Sequence, residues 1–277
     1  MKQCKRCFST LTCIDATVDE VIAFAKKHGM AGVEIRLDAS QTICGIGLGG
    51  AADIRAKFAA ADVAVTDLGT GVNVTGLGDP DAEMKKAQGC VLLAEAVGAA
   101  AIRIFVGGHQ PKLSEPPRED IDAIVTFVRE LCVFAAAHGV AVWAETHSSH
   151  SPAAAMKALS ERVGHPNLAV IWDVLHSIEF HEDPAESVTL LGGLLAHIHL
   201  KDAREPDDPD ASQYIHTALG AGTFPLARVL SLLDAADYDG YLSLEYELPW
   251  RPELKGTYPD TDAILDAYNA WIDACTG

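Results

Sequence analysis

The feature that most constrains this chain is a repeated pattern. A short apolar run is followed by a helical stretch, and the pair recurs eight times. The strand-like runs are CKRCFSTLT (4–12), AGVEIRLD (31–38), VAVTDLGTG (63–71), AAIRIFVGGH (100–109), VAVWAETH (140–147), NLAVIWDVLHS (167–177), LAHIHLKDA (195–203) and GYLSLEYE (240–247). The stretches between them carry helix punctuation. Thr17 and Glu20 form a capping box ahead of VDEVIAFAKKHG, and Gly29, Gly98 and Gly139 stand where three helices should stop. Strands that alternate with helices imply βαβ units and hence parallel pairing.

Eight such units in 277 residues fit a closed (β/α)8 TIM barrel, a single domain over residues 1–277, better than an open doubly wound sheet. The glycines of GIGLGG do not follow a strand in the spacing that cradles a dinucleotide, so that reading is rejected. With 49% apolar residues the chain has material for a large core. Its formal charge of −18 is a poor match for nucleic acid, whose affinity rests on Lys and Arg at phosphates. No apolar run reaches the roughly 20 residues of a membrane span, and no apolar segment follows the charged MKQCKRCF in the manner of a signal peptide. The seven cysteines are odd in number and mostly within apolar runs, which suits reduced thiols and a cytoplasmic location. The lone Cys4-x-x-Cys7 pair has no second pair to make a metal or redox site.

In the second half of the chain, four strand runs end in residues that a buried strand has no use for. Glu145 and His147 end the fifth, Asp173 and His176 the sixth, His197 and His199 lie on the seventh, and Glu245 closes the eighth. In a barrel the C-terminal strand ends form the active-site face, and these four strands are neighbours. Three carboxylates and an imidazole brought together there must be paired or bind a metal. The obvious nearby cations are only Lys201 and Arg204, so a divalent ion held by Glu145, Asp173, His199 and Glu245 is expected. An oxygen-rich set with one imidazole suits Mn²⁺, with Mg²⁺, Co²⁺ or Zn²⁺ as alternatives, better than a thiolate zinc site. Such an ion would polarise a sugar carbonyl and acidify the adjacent C–H. Glu145 and Glu245 would then exchange the proton from different sides, as in an epimerase or ketose–aldose isomerase. His147, His176, Lys201 and Arg204 are left to bind substrate, and Glu34 on the second strand is a further substrate contact or a support ion pair with Arg36. Alternation puts Glu34, Arg36 and Asp38 on one face of that strand. His197 and Trp143 read as barrel packing, His109 as a loop residue, and Trp250 with Arg251 as a cover for the site or plain surface.

The motifs GVEIR, WAETH, IWDVLHS, HIHLKDAR, LGAGTF and YDGYLSLEYE resemble the sugar phosphate isomerase/epimerase superfamily, the xylose isomerase-like barrels. By that resemblance Glu145, Asp173, His199 and Glu245 match the metal ligands, Glu145 and Glu245 the acid–base pair, and His176 a substrate-binding histidine. Arg204 lies near a substrate arginine of the epimerases. The resemblance implies a small sugar or polyol-derived substrate and admits other activities. One is a dehydratase of an inosose or of 3-dehydroshikimate. Another is an endonuclease IV-like abasic-site nuclease, held against by TDLGTG, which brings no histidine to the third strand end, and by the charge. The last is a non-catalytic sugar-binding barrel. Barrels of this group often associate, so a homo-oligomer is open.

Overall fold

The computed structural model describes residues 4–37, 48–108, 116–207 and 214–276. Asp38, Cys44 and His109, all considered above, lie outside the described residues. In chain order the elements are β1 (Lys5–Ser9), α1 (Val18–Lys27), β2 (Gly32–Leu37), α2 (Leu48–Ala61), β3 (Ala64–Val74), α3 (Pro80–Val97), β4 (Ala101–Val106), α4 (Ile121–Ala137), β5 (Ala141–Glu145), α5 (Ala153–Val163), β6 (Leu168–Asp173), α6 (Val174–Glu179), α7 (Pro184–Leu191), β7 (Leu195–Leu200), β8 (Asp202–Arg204), β9 (Ile215–Thr217), α8 (Leu226–Ala235), β10 (Tyr241–Leu244) and α9 (Thr261–Thr276). Eight strands close a parallel barrel in the order β1-β10-β7-β6-β5-β4-β3-β2. The (β/α)8 barrel expected from the alternation is therefore the fold.

Local chemistry explains the boundaries. The capping box at α1 forms as read: Thr17 accepts from the Glu20 backbone N–H, and Glu20 accepts from that of Thr17. Gly29, Gly98 and Gly139 do end helices, each with left-handed backbone (φ 65°, 78° and 66°), a conformation that costs a Cβ-bearing residue energy. Three elements differ from the sequence reading. The first strand stops at Ser9 and turns into a 3-10 segment, Thr10–Cys13. The end of the sixth run is not strand: Asp173 caps a helix, α6, whose first residue is Val174. The seventh run breaks at Lys201, and its last residues form β8, which pairs antiparallel with β9. The second strand of that hairpin, β9, lies in the stretch between the seventh and eighth runs, where no strand was expected. Asp202 holds the hairpin, accepting from the backbone N–H groups of Ala203, Gly220 and Gly222 at 2.8–3.0 Å.

The main core lies between the barrel and the helices. A separate small cluster of Ala101, Trp143 and Ile171 sits on the inward faces of β4, β5 and β6. Above it, toward the C-terminal strand ends, the barrel interior turns polar. Glu34, Arg36, Asp67, Arg103, His197 and His199 are all buried. Barrel interiors usually fill with branched apolar side chains, so this polar layer is the unusual part of the fold. Its packing needs one specific gap. A Cβ built on Gly69 of β3 would stand 2.8 Å from Arg36 Cδ and 2.9 Å from Glu34 Oε1. The missing side chain at position 69 is what lets Glu34 and Arg36 point inward beside β3. Replacing Gly69 with Ala is expected to destabilise the fold by about 1–3 kcal/mol, the usual cost of overpacking a tight core. Equilibrium urea unfolding measures this, and an unchanged midpoint would refute it.

No helix among the described residues is long and apolar enough to cross a membrane.

Candidate functional site

The barrel brings the four strand ends to one point. Glu145 is the last residue of β5, Asp173 the last of β6, His199 lies one before the end of β7, and Glu245 directly follows β10. Each offers a ligand-type atom, and those atoms lie within 4.8 Å of one another. Register explains the convergence: Asp173 pairs with His199 across β6 and β7, and His199 with Ser243 across β7 and β10. All four residues are buried. His199 is central, with Nδ1 3.1 Å from Glu245 Oε2, 3.7 Å from Glu145 Oε1 and 3.8 Å from Asp173 Oδ2.

Each carboxylate is half committed elsewhere. Asp173 Oδ1 accepts from the backbone N–H groups of Leu175 and His176, capping α6 and leaving Oδ2 for the cluster. Glu145 Oε2 accepts from Arg103 Nη1 at 2.6 Å. Glu245 Oε1 lies 3.7 Å from Arg36 Nη1. The inward atoms are the ones left over. Asp173 Oδ2, Glu245 Oε2 and His199 Nδ1 are buried without a directed hydrogen bond. Lys201 Nζ comes within 2.7 Å of the first and 2.6 Å of the second, close as an ion pair but off the hydrogen-bond direction. Buried atoms of this kind ordinarily find partners. Two carboxylate oxygens and an imidazole nitrogen aimed at one point, with Glu145 Oε1 beside them, form a donor set that fits a hard or borderline divalent cation. The residues present fit the ion expected from sequence.

The expectation that basic residues near the cluster are few is corrected here. Arg103 and Arg36, on β4 and β2, reach it across the barrel interior, and Lys201 bridges Asp173, Glu245 and Glu247 (2.9 Å). Burial opposes charge on Glu145 and on Glu245. Arg103 and His199 beside Glu145, and His199 and Lys201 beside Glu245, outweigh it and hold both well below the usual carboxylate range.

The substrate-contact residues expected from sequence divide. His147 and His176 meet edge to face, 4.7 Å between ring centres, beside the cluster. Burial and the neighbouring His176 push the His147 pKa down to about 4. Burial works against charge on His176 too, but Asp173 at 3.7 Å and Glu179 at 3.1 Å hold its pKa up at about 9. Lys201 is inside the cluster. Arg204 is not: it pairs with Asp207 at the surface, and no contact joins it to the four. Its strand, β8, turns away from the barrel because Asp202 anchors the hairpin. Glu34 is also displaced from its expected part. It is fully buried and bonds His199 instead of facing the mouth. Arg36 stacks beneath the half-exposed Trp250 (5.4 Å), which puts that tryptophan over the site.

Sequence reasoning missed Arg103, Glu247 and His216. Glu247 holds Lys201 and accepts from Arg251 Nε at 2.9 Å, with His216 Nδ1 3.9 Å away. The one signal for Arg103 was a lone arginine inside an apolar strand, AAIRIFV. Replacing Arg103 with Met leaves Glu145 buried without its ion partner. Removing one member of a buried pair costs about 3–5 kcal/mol, and chemical denaturation should show a loss of that size. A loss below about 1 kcal/mol, the range of an exposed pair, would mean that Glu145 does not depend on Arg103.

A model of the xylose isomerase-like TIM barrel family matches residues 22–273. A 3-dehydroshikimate dehydratase from Bacillus anthracis is 26% identical over 181 residues, 61% of this chain. The match spans 63% of that relative's length. Solved structures share the fold over nearly the whole chain. The probable 3-DHS dehydratase AsbF of Bacillus anthracis has a TM-score of 0.77 at 19% identity and covers 99% of each chain. An L-ribulose 3-epimerase has 0.79 at 16%, covering 98% of this chain and 94% of its own. The IolI protein, solved with a zinc atom, has 0.80 at 17%, covering 98% and 97%.

Proposed function

The chain belongs to the xylose isomerase-like TIM barrel family, and from that premise we propose that it is a divalent-metal-dependent epimerase or isomerase. Its substrate is a small sugar or sugar phosphate, and it moves a proton on the carbon next to a carbonyl. The observation that carries this reading is the meeting of Glu145, Asp173, His199 and Glu245 within 4.8 Å, with inward atoms that lack directed partners. Those four residues would hold the ion, most suitably Mn²⁺. When bound, it supplies a Lewis acid that polarises the substrate carbonyl and lowers the barrier to removing the adjacent proton.

The remaining work falls to the chain itself. Glu145 and Glu245 stand on β5 and just past β10, with β6 and β7 between them, so they reach a substrate at the mouth from different directions. Both are held ionised, and an ionised carboxylate can take a proton at once. The carboxylate that removes the proton is thereby protonated and can return it to the next carbon, which shifts the carbonyl; inversion of a single carbon needs its partner to enter the turnover protonated. Arg103 keeps Glu145 aimed through its 2.6 Å bond, and Lys201 lies 2.6 Å from Glu245 Oε2 as an ion pair. His147 and His176 at the rim, one neutral and one cationic, offer hydrogen bonds to substrate oxygens of different character.

A second reading is favoured by the Bacillus anthracis relative named as a dehydratase. The same proton removal, followed by protonation and loss of a hydroxyl on the next carbon, would make this chain a dehydratase of an inosose or of 3-dehydroshikimate. It needs a base for the carbon-bound proton and an acid for the departing hydroxyl, and the carboxylate that has taken the proton can then give it to that hydroxyl, which leaves as water.

One experiment separates these readings. Mn²⁺-loaded and EDTA-stripped protein is incubated in D₂O with ketoses, their phosphates, inososes and 3-dehydroshikimate. The expected result is metal-dependent deuterium uptake beside the carbonyl with an isomeric product. A dehydrated product would select the second reading, and equal behaviour of the loaded and stripped protein would reject both. Replacing Glu245 with Gln should cut turnover by roughly 10²–10⁴-fold, the usual size of an acid–base contribution. Unchanged kcat would remove Glu245 from the reaction.

A further inference from the structure

The buried layer beneath the four residues is not used by that chemistry, and one member of it touches the centre. His199 Nε2 lies 2.8 Å from Glu34 Oε2, and both side chains are fully buried. We propose that Glu34 is a positioning residue for His199: it accepts the Nε2–H, fixes the tautomer and the ring plane, and so presents the Nδ1 lone pair to the point where Glu145, Asp173 and Glu245 meet. The proposal rests on the metal reading of that centre and deepens it.

The argument is one of proton count. A neutral imidazole carries a single N–H. If it sat on Nδ1, the Nε2 lone pair would face the Glu34 carboxylate at 2.8 Å, two acceptors in contact with no hydrogen between them. With the proton on Nε2, that contact is a hydrogen bond, and Nδ1, 3.1 Å from Glu245 Oε2, either keeps a second proton or turns its lone pair to a cation among the three carboxylates. Carboxylate partners of this kind orient metal-binding histidines and raise their basicity.

Glu34 is itself held. Ser9 Oγ donates to its Oε1 at 3.3 Å, and Gly69 leaves the space it occupies. Asp67, its register partner on β3, is buried beside it. Burial first, and then the Glu34 charge, push Asp67 well up from the usual carboxylate range.

Glu34, His197 and His199 also lie close enough to be read as a second metal site. The geometry favours the positioning role. A second ion there would need the Nε2 proton removed from His199, and His197 instead stacks on Trp143, 5.5 Å between ring centres at 26°.

The test is Co²⁺ binding to metal-stripped wild type, E34Q and E34A, by titration calorimetry and by the visible absorption of the bound ion, with melting curves to confirm folding. The expected result is one Co²⁺ per wild-type chain and roughly 10–100-fold weaker binding in E34A, with an altered spectrum. E34Q keeps an acceptor oxygen and should recover part of the loss while remaining folded. Wild-type affinity and spectrum in both variants would overturn the role. Two ions per wild-type chain, one of them lost in E34Q, would overturn it in favour of Glu34 as a ligand. A wild type that takes up no Co²⁺ would overturn the metal reading and the role of Glu34 together.

Discussion

Charge buried inside the barrel is the constraint on which the rest of the structure depends. Glu34, Glu145, Asp173 and Glu245 are carboxylates with 4% exposure or less, and they crowd one imidazole. Isolated ions in such a place would be prohibitively unstable. The fold answers with partners brought from every side: Arg103 from β4, Arg36 from β2, Lys201 beyond β7, and a helix start that takes one oxygen of Asp173. Arg103 reaches Glu145 from the neighbouring strand, whereas Arg36 on β2 meets Glu245 after β10 because closure of the barrel through β1 brings those ends of the sheet together.

That explains why the sequence disclosed the ligands and hid their supports. The ligands are local anomalies. An acid at the end of an apolar run, as at Asp173 or Glu245, is conspicuous without knowledge of the fold, and the strand–helix repeat says which ends share a face. Arg103 is conspicuous too, but its partner is 42 residues away and is set by the β4–β5 register, in which Phe105 pairs with Glu145. Glu34 was legible as an inward charge on β2; its bond to a histidine 165 residues on was not. The β8–β9 hairpin was hidden for another reason. Its strands are three residues each, too short for alternation to register, and they depend on Asp202 gathering backbone N–H groups from the following turn. Arg204 was drawn toward the site by its place in the HIHLKDAR motif, and the same hairpin carries it to the surface.

The layering of the lumen has a consequence for chemistry. Ala101, Trp143 and Ile171 form a small buried apolar floor. The ionic layer above it is fixed by many bonds, and on the proposed function little reorganisation would be needed as charge shifts, the kind of preorganisation that is a large part of enzymatic rate enhancement. The carboxylates are held in place by Arg103, Arg36, Lys201 and the start of α6, so the fold itself fixes their aim.

Lys201 shows how closely the two tasks are joined. Its ammonium is shared among Asp173, Glu245 and Glu247. The first two belong to the centre, whereas Glu247 belongs to the rim, where Arg251 and His216 also approach it. Lysine has a flexible stem and three donors, so it can lean toward either group without leaving the site. Within the centre it competes for the same two oxygens that a divalent ion would use, and two cations on one pair of oxygens repel. An ion held there would therefore favour the arrangement in which Lys201 leans on Glu247. Glu247, which ends the YDGYLSLEYE motif but drew no role in the sequence reading, is the acceptor that makes that arrangement available.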